Sequence, residues 1–189
     1  MKKFLIPILI VFILTNLSCQ NDFQLVKLVD NFSSIQHMPY ICEKLDNQWS
    51  TGCGDSIFWI AIKQGKKMIS YYLERLNDTT LSKAFVPNIG GNFTIGDISL
   101  FALEIIIWDI PILNLAEDLE NPEPRDGGWG YWNYTRRNYE NRLKFKVKVI
   151  DWYNDNKEDF IWIKSDLVNV CDCGQLKNPA GGHFEINKK

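Results

Sequence analysis

The sequence predicts a mainly α-helical domain: an irregular helical stack with short extended segments and a C-terminal tail tied down by a disulfide. Three observations predict it. Apolar residues recur at helical spacing in several separate stretches. A Thr94/Asp97 pair stands directly before the most apolar of them, where a helix needs its first amides covered. Cysteines fall near both ends of the chain, in an odd total of five.

The chain opens with MKKFLIPILIVFILTNLS, which sets two lysines before an apolar run from Phe4 to Leu14 and closes in small and polar residues. That is the layout of a secretory signal. The run is shorter than the roughly 20 apolar residues a membrane span needs. Leu17-Ser18-Cys19 resembles a bacterial lipobox, in which the signal is cut before a cysteine that carries lipid, with Asn16 where that motif usually has leucine. The resemblance implies a signal over 1–18, a palmitate-type lipid anchor on Cys19 and a polar tether over 19–24. Gln20-Asn21-Asp22 in that tether is similar to the same region of exported lipoproteins from Bacteroidetes-type bacteria.

Assigning Cys19 to lipid leaves Cys42, Cys53, Cys171 and Cys173, an even set that suits an oxidising compartment and allows three pairings. Loss of Lys2 and Lys3 with the signal moves the formal net charge from −2 to −4. A mildly acidic chain with no basic cluster argues against nucleic acid as a partner. No Gly/Ser or Pro linker interrupts 25–189, so one domain with its own core is expected there.

Within that domain Leu25, Leu28, Val29 and Phe32 place the first helix. His37 to Gly54 reads as irregular, broken by Pro39, Asn47 and Gly52. Asp55 is positioned to cap a helix from Ser56 to Gln64, which Gly65 ends. Ile69, Tyr72, Leu73 and Leu76 then fall at i, i+3, i+4 and i+7, up to a stop at Asn77-Asp78-Thr79-Thr80. FVPNIGGNFT fits a loop or a small hairpin. Thr94 and Asp97 open a buried helix whose stripe is Ile98, Phe101, Ala102, Ile105 and Ile106, with Pro111 as its stop. Asn114 to Tyr134 is the least regular part, and a long loop in a compact domain is functional or mobile. A last long helix is expected from Arg136, with Phe145, Val149, Trp152 and Tyr153 on one face. Phe160 to Ile163 reads as a short strand or extended return before the cysteine tail.

GKKMISYYLERLND and TIGDISLFALEIII resemble the two-helix unit of HEAT-type repeats over Gly65 to Ile107. An array needs about three or more such units to close its core, and here there is one, so the flanking helices are expected to close it. Overall the chain is similar to small exported bacterial lipoproteins with a single HEAT-like pair. The resemblance implies a scaffold or binding module rather than a reaction.

Four groups of residues carry chemistry. In the tail, Cys171, Cys173 and His183 with Asp172 or Glu185 form a possible zinc set, although Cys-x-Cys is shorter than the usual ligand spacing. A Cys171–Cys173 disulfide would be strained and redox-active. The favoured reading joins one or both tail cysteines to Cys42 or Cys53. In the loop, Trp129, Tyr131, Trp132 and Tyr134 suggest an aromatic platform, with Arg125 and Asp126 as hydrogen-bonding partners for a sugar or peptide. The competing reading has those rings plugging the open end of the helical stack.

QWSTGCGDSIFW superficially resembles a papain-type nucleophile segment, but Ile57 departs from that pattern and His37 and His183 are the only histidines. Cys53 therefore reads as half of a disulfide. Asp55-Ser56-Ile57 and Asp78-Thr79-Thr80 resemble O-glycan sites of exported Bacteroidetes proteins, and helix capping explains both equally well. Glu117, Asp118, Glu120 and Glu123 read as a solvated acidic run, and no phosphate loop or H-E-x-x-H motif is present. The expectation is a non-catalytic binding or scaffold module without a cofactor. It would be lipid-anchored in the bacterial envelope, periplasmic or surface-exposed, and would meet a protein or glycan. The alternative is a zinc-binding or thiol-redox protein using Cys171, Cys173 and His183.

Overall fold

The first helical segment, α1 (24–30), runs into a 3-10 turn at Asn31–Ser34 and buries Val29, Phe32, Ile35 and Met38. It belongs to a computed structural model that describes residues 24–39, 42–45, 48–51, 53–86, 90–116, 129–169 and 175–187. Among these residues the chain is mainly α-helical, with four two-stranded antiparallel ladders set around one apolar core. None of the described helices is long and apolar enough to cross a membrane.

The stretch expected to be irregular contains a hairpin, β1 (Cys42–Leu45) with β2 (Gln48–Thr51), in which Cys42 faces Thr51 and Leu45 faces Gln48. The breaker Asn47 falls between these strands, and neither four-residue strand is long enough to show a clear alternation. α2 (Ser56–Ile62) follows, two residues shorter than expected. Asp55 holds the N-cap position but does not cap: its carboxylate accepts from the backbone amides of Gln36 and His37. The acid thereby ties the start of α2 to the end of the first helical segment.

Gly65, at φ 57°, turns the chain into a 3-10 segment (Gly65–Met68) and then α3 (Ile69–Arg75). The expected stripe of Ile69, Tyr72, Leu73 and Leu76 is buried, and Tyr72 stacks on Phe32 at 6.0 Å between centroids. Arg75 then bridges Asp30 and Asp78, which joins α1 to the loop after α3.

FVPNIGGNFT resolves into a hairpin link. β3 (Leu81–Phe85) pairs with β4 (Asn92–Thr94), turning Ser82 and Ala84 inward and Leu81 and Phe85 outward. α4 (Ile95–Ile106) starts with a full capping box: Thr94 Oγ1 accepts from Asp97 N at 3.1 Å, and Asp97 Oδ2 accepts from Thr94 N at 2.9 Å. It is apolar on nearly every side because the other elements surround it. Pro111 does not end it. Ile107 becomes extended, bridges Phe184 in parallel, and the next amide, Trp108 N, donates to Phe184 O at 3.1 Å. Strand capture stops the helix before the proline is reached.

A short α5 (Ile112–Leu115) follows. The expected loop gives way to a helix at its far end, α6 (Trp129–Arg137). Asn138 then caps α7 (Tyr139–Asn156), its Oδ1 accepting from Asn141 N at 2.8 Å. Arg136 thus closes one helix rather than opening the next. Phe145 and Val149 of α7 are fully buried, with Trp152 and Tyr153 packed at the core's margin. β5 (Phe160–Lys164) pairs with β8 (Gly182–Ile186), and β6 (Leu167–Asn169) with β7 (Gln175–Lys177). His183 therefore lies in a ladder strand, opposite Ile163.

Candidate ligand-binding cleft

The cleft is built on the acid that caps α4. Asp97 is 0% exposed, and once its Oδ2 has taken the Thr94 amide, its Oδ1 accepts from both Tyr131 Oη and Arg142 Nη1 at 2.9 Å. α6 supplies the tyrosine and α7 the arginine, so one carboxylate joins three helices. Isolated buried charges are costly, and the hydrogen bonds on both oxygens offset that cost. Burial raises the Tyr131 phenol well above its ordinary value, with the Asp97 charge adding to the effect. Burial works against the Arg142 charge, yet Tyr131 and Asp97 together hold its pKa above the ordinary value. Gly96 makes room for the pair: a Cβ there would meet Leu76 O at 2.5 Å and Arg142 Nη1 at 3.0 Å.

Above this network lies an open cleft of about 390 Å³ between the β3–β4 hairpin, the end of α6 and the start of α7. Leu81, Gly91 and Asn92 form one wall, Tyr139 and Asn138 another, and Arg136 and Arg142 contribute the cations. Arg136 is held in place. Its Nη1 donates to Gly90 O at 2.7 Å, its Nη2 to Asn92 O at 3.1 Å, and its guanidinium lies 4.9 Å from the centre of the Trp132 ring. Arg142 is neutralised by Asp97, whereas Arg136 meets carbonyls and a ring but no carboxylate among the described residues. No Asp, Glu, His or Cys among the described residues lines the cleft, and most of its accessible surface is apolar carbon. Such a cleft suits a ligand held by shape and charge; the side-chain hydroxyls in its lining are those of Thr79, Thr94, Thr135 and Tyr139.

The aromatic platform is not on the surface. Tyr131, Trp132 and Tyr134 are 4%, 9% and 3% exposed, because α6 turns them inward. Trp132 meets Phe93 edge-on at 5.3 Å, and Tyr131 meets Phe145 at 5.0 Å. Their faces are therefore closed to a sugar, and Trp132 acts instead as the support for Arg136. Trp129 begins α6, while Arg125 and Asp126 lie outside the described residues.

Comparison with known protein families, curated proteins and solved structures gives no match.

In the tail, Cys171, Asp172 and Cys173 lie outside the described residues. His183 is buried at 3% exposure, stacks on Trp108 at 3.7 Å and 9°, and contacts Glu185 Oε1 through Nε2 at 2.8 Å. Its Nδ1 is buried without a hydrogen-bond partner among the described residues. The described residues contain no group of three or more His, Cys, Asp or Glu that could share a metal ion. Cys53 is disulfide-bonded. The acidic run from Glu117 to Glu123 is also outside the described residues.

Sequence alone marks Arg136 only as the expected start of the last helix and gives Arg142 no role. A signal for Arg142 was present: with Phe145 and Val149 it occupies i, i+3 and i+7 of the same helical face, so a charge sits on the apolar stripe. Arg136 left no comparable mark, because its partners are carbonyls of a distant hairpin.

Proposed function

We propose that this chain is a non-catalytic binding module, held at the bacterial envelope by lipid on Cys19, and that its ligand enters the cleft between the β3–β4 hairpin and α6–α7. The observation that supports this reading most is the fixing of Arg136 before any ligand arrives. Two carbonyls and the Trp132 ring hold its side chain at the cleft wall, so little side-chain freedom remains to be lost on binding. The volume of about 390 Å³ falls within the range of small-ligand sites, roughly 300–1,000 Å³, near its lower end. A small molecule or the end of a protein or glycan chain fits that size.

Ligand screening by two-dimensional NMR on the mature chain tests the reading. Binders are expected to move the amide resonances of Thr135, Arg136 and Tyr139 together; binders that leave all three unmoved, or a diverse library that yields none, would refute it. The lipid part is tested separately by Cys19→Ala, which should release the protein from the membrane fraction.

The cysteine arrangement is proposed from the ladder register. Cys42 faces Thr51, and the disulfide-bonded Cys53 follows only two residues later. We assign Cys42 as its partner, which closes the β1–β2 hairpin.

A further inference from the structure

The charge and surface of the cleft narrow the chemistry of what it binds. Arg142 contributes no net charge, because Asp97 neutralises it at 2.9 Å. Arg136 contributes a full positive charge, balanced among the described residues only by the oxygens of Gly90 and Asn92. With no acidic residue among the described lining, the cleft carries one net positive charge next to mainly apolar walls. Leu81 and Tyr139 are two of these walls and both are exposed large hydrophobic residues. The Tyr139 hydroxyl accepts from Asn77 Nδ2 at 2.7 Å, which anchors its ring.

Resting on the binding reading above, we infer that the cleft takes a small organic monoacid: one carboxylate paired with Arg136 and an apolar body laid against Leu81 and Tyr139. A carboxylate matches the single uncompensated cation. A dianionic phosphate would bring a second charge with no second free cation to meet it, and an ammonium group would face the guanidinium directly. A guanidinium also offers its donors in a planar fork, and a carboxylate is the planar acceptor that fits it. Two of the Arg136 donors hold the hairpin; the others have no partner among the described residues. The apolar walls then favour an acid carrying a ring or short alkyl chain over acetate.

Calorimetric titration of the mature chain with 3-phenylpropionate, 3-phenylpropionamide, acetate and inorganic phosphate tests the inference. The aromatic acid is expected to bind at least tenfold more tightly than the amide, acetate or phosphate. Arg136→Gln should abolish the acid's advantage over the amide. Because Arg136 also holds the hairpin, Tyr139→Ala provides a second arm: it should weaken phenylpropionate severalfold, and by more than it weakens acetate.

Amide binding equal to acid binding would overturn the inference while leaving the binding reading intact. Phosphate binding more tightly than the acid, or no binding of the acid at all, would also overturn it. The binding reading itself falls only if the NMR screen finds no cleft ligand of any charge.

Discussion

Arg142 Nη1 lies 2.9 Å from Asp97 Oδ1, and both side chains are sealed from solvent. This contact joins the first turn of α4 to the first turn of α7 and forms the base of the cleft. The same carboxylate caps its own helix and anchors Tyr131 of α6, so cleft geometry and domain stability share one acid.

Removing one member of the pair strands the other. Arg142→Met leaves Asp97 buried without its cation and should cost about 3–5 kcal/mol in urea unfolding. Asp97→Asn should cost a similar amount, because it leaves Arg142 uncompensated and weakens the cap. The double substitution should cost much less than the sum of the two, since neither charge remains to be stranded. Strict additivity would show that the two charges do not stabilise each other.

Gly96 tests the same packing by sign. Replacing an exposed helical glycine by alanine normally stabilises a protein by up to about 1 kcal/mol. At Gly96 the added methyl would sit 2.5 Å from Leu76 O and 3.0 Å from Asp78 O, both backbone atoms that cannot rotate away. Gly96→Ala should therefore destabilise the domain, on the order of 2 kcal/mol or more. An alanine variant more stable than the parent would mean that α4 lies farther from the end of α3 than described.

Glu104 carries the clearest pH signature. Desolvation by burial raises its carboxyl from 4.5 to about 7. The folded chain therefore keeps a proton that the unfolded chain has released, so stability falls as pH rises from about 4.5 to about 7 and then levels off. The loss is on the order of 3 kcal/mol. Glu104→Gln should flatten that part of the stability–pH profile and make the variant more stable than the parent at pH 8. Parallel profiles for the two proteins would show that the acid is already charged in the folded state.

What the sequence made legible was local. The α3 stripe and the Thr94/Asp97 box depend on residues within one or two turns of each other, and both stand as read. The β1–β2 hairpin was missed because its short strands carry no clear period. α6 was missed because Gly130 and a run of aromatics look like a loop, although tertiary contacts to Phe93 and Phe145 hold them in a helix. The end of α4 depends on Phe184, far along the chain, and no nearby residue announces it. The cleft shares that difficulty: Leu81, Gly91, Arg136 and Tyr139 come from separate elements and meet only in the fold.

The cysteine pairing can be decided by mapping. The ladder places the backbone of Cys42 opposite Thr51, and Cys53, already in a disulfide, lies two residues further on. Diagonal neighbours at that offset in an antiparallel pair lie about 7–8 Å apart, close enough for a small bend of the chain to bring them into disulfide range. Gly54, at φ 77°, supplies a bend immediately after Cys53, and its close approach to Pro39 Cδ leaves no space for a side chain. Non-reducing peptide mapping should therefore recover the Cys42 and Cys53 peptides joined, with the Cys171–Cys173 segment released separately. Because the Cys42–Cys53 loop is short, its reduction should cost roughly 2–4 kcal/mol at most. Recovery of Cys53 joined to Cys171 or Cys173 would instead show that the tail is stapled to the start of the domain and that ladder register does not choose the partner.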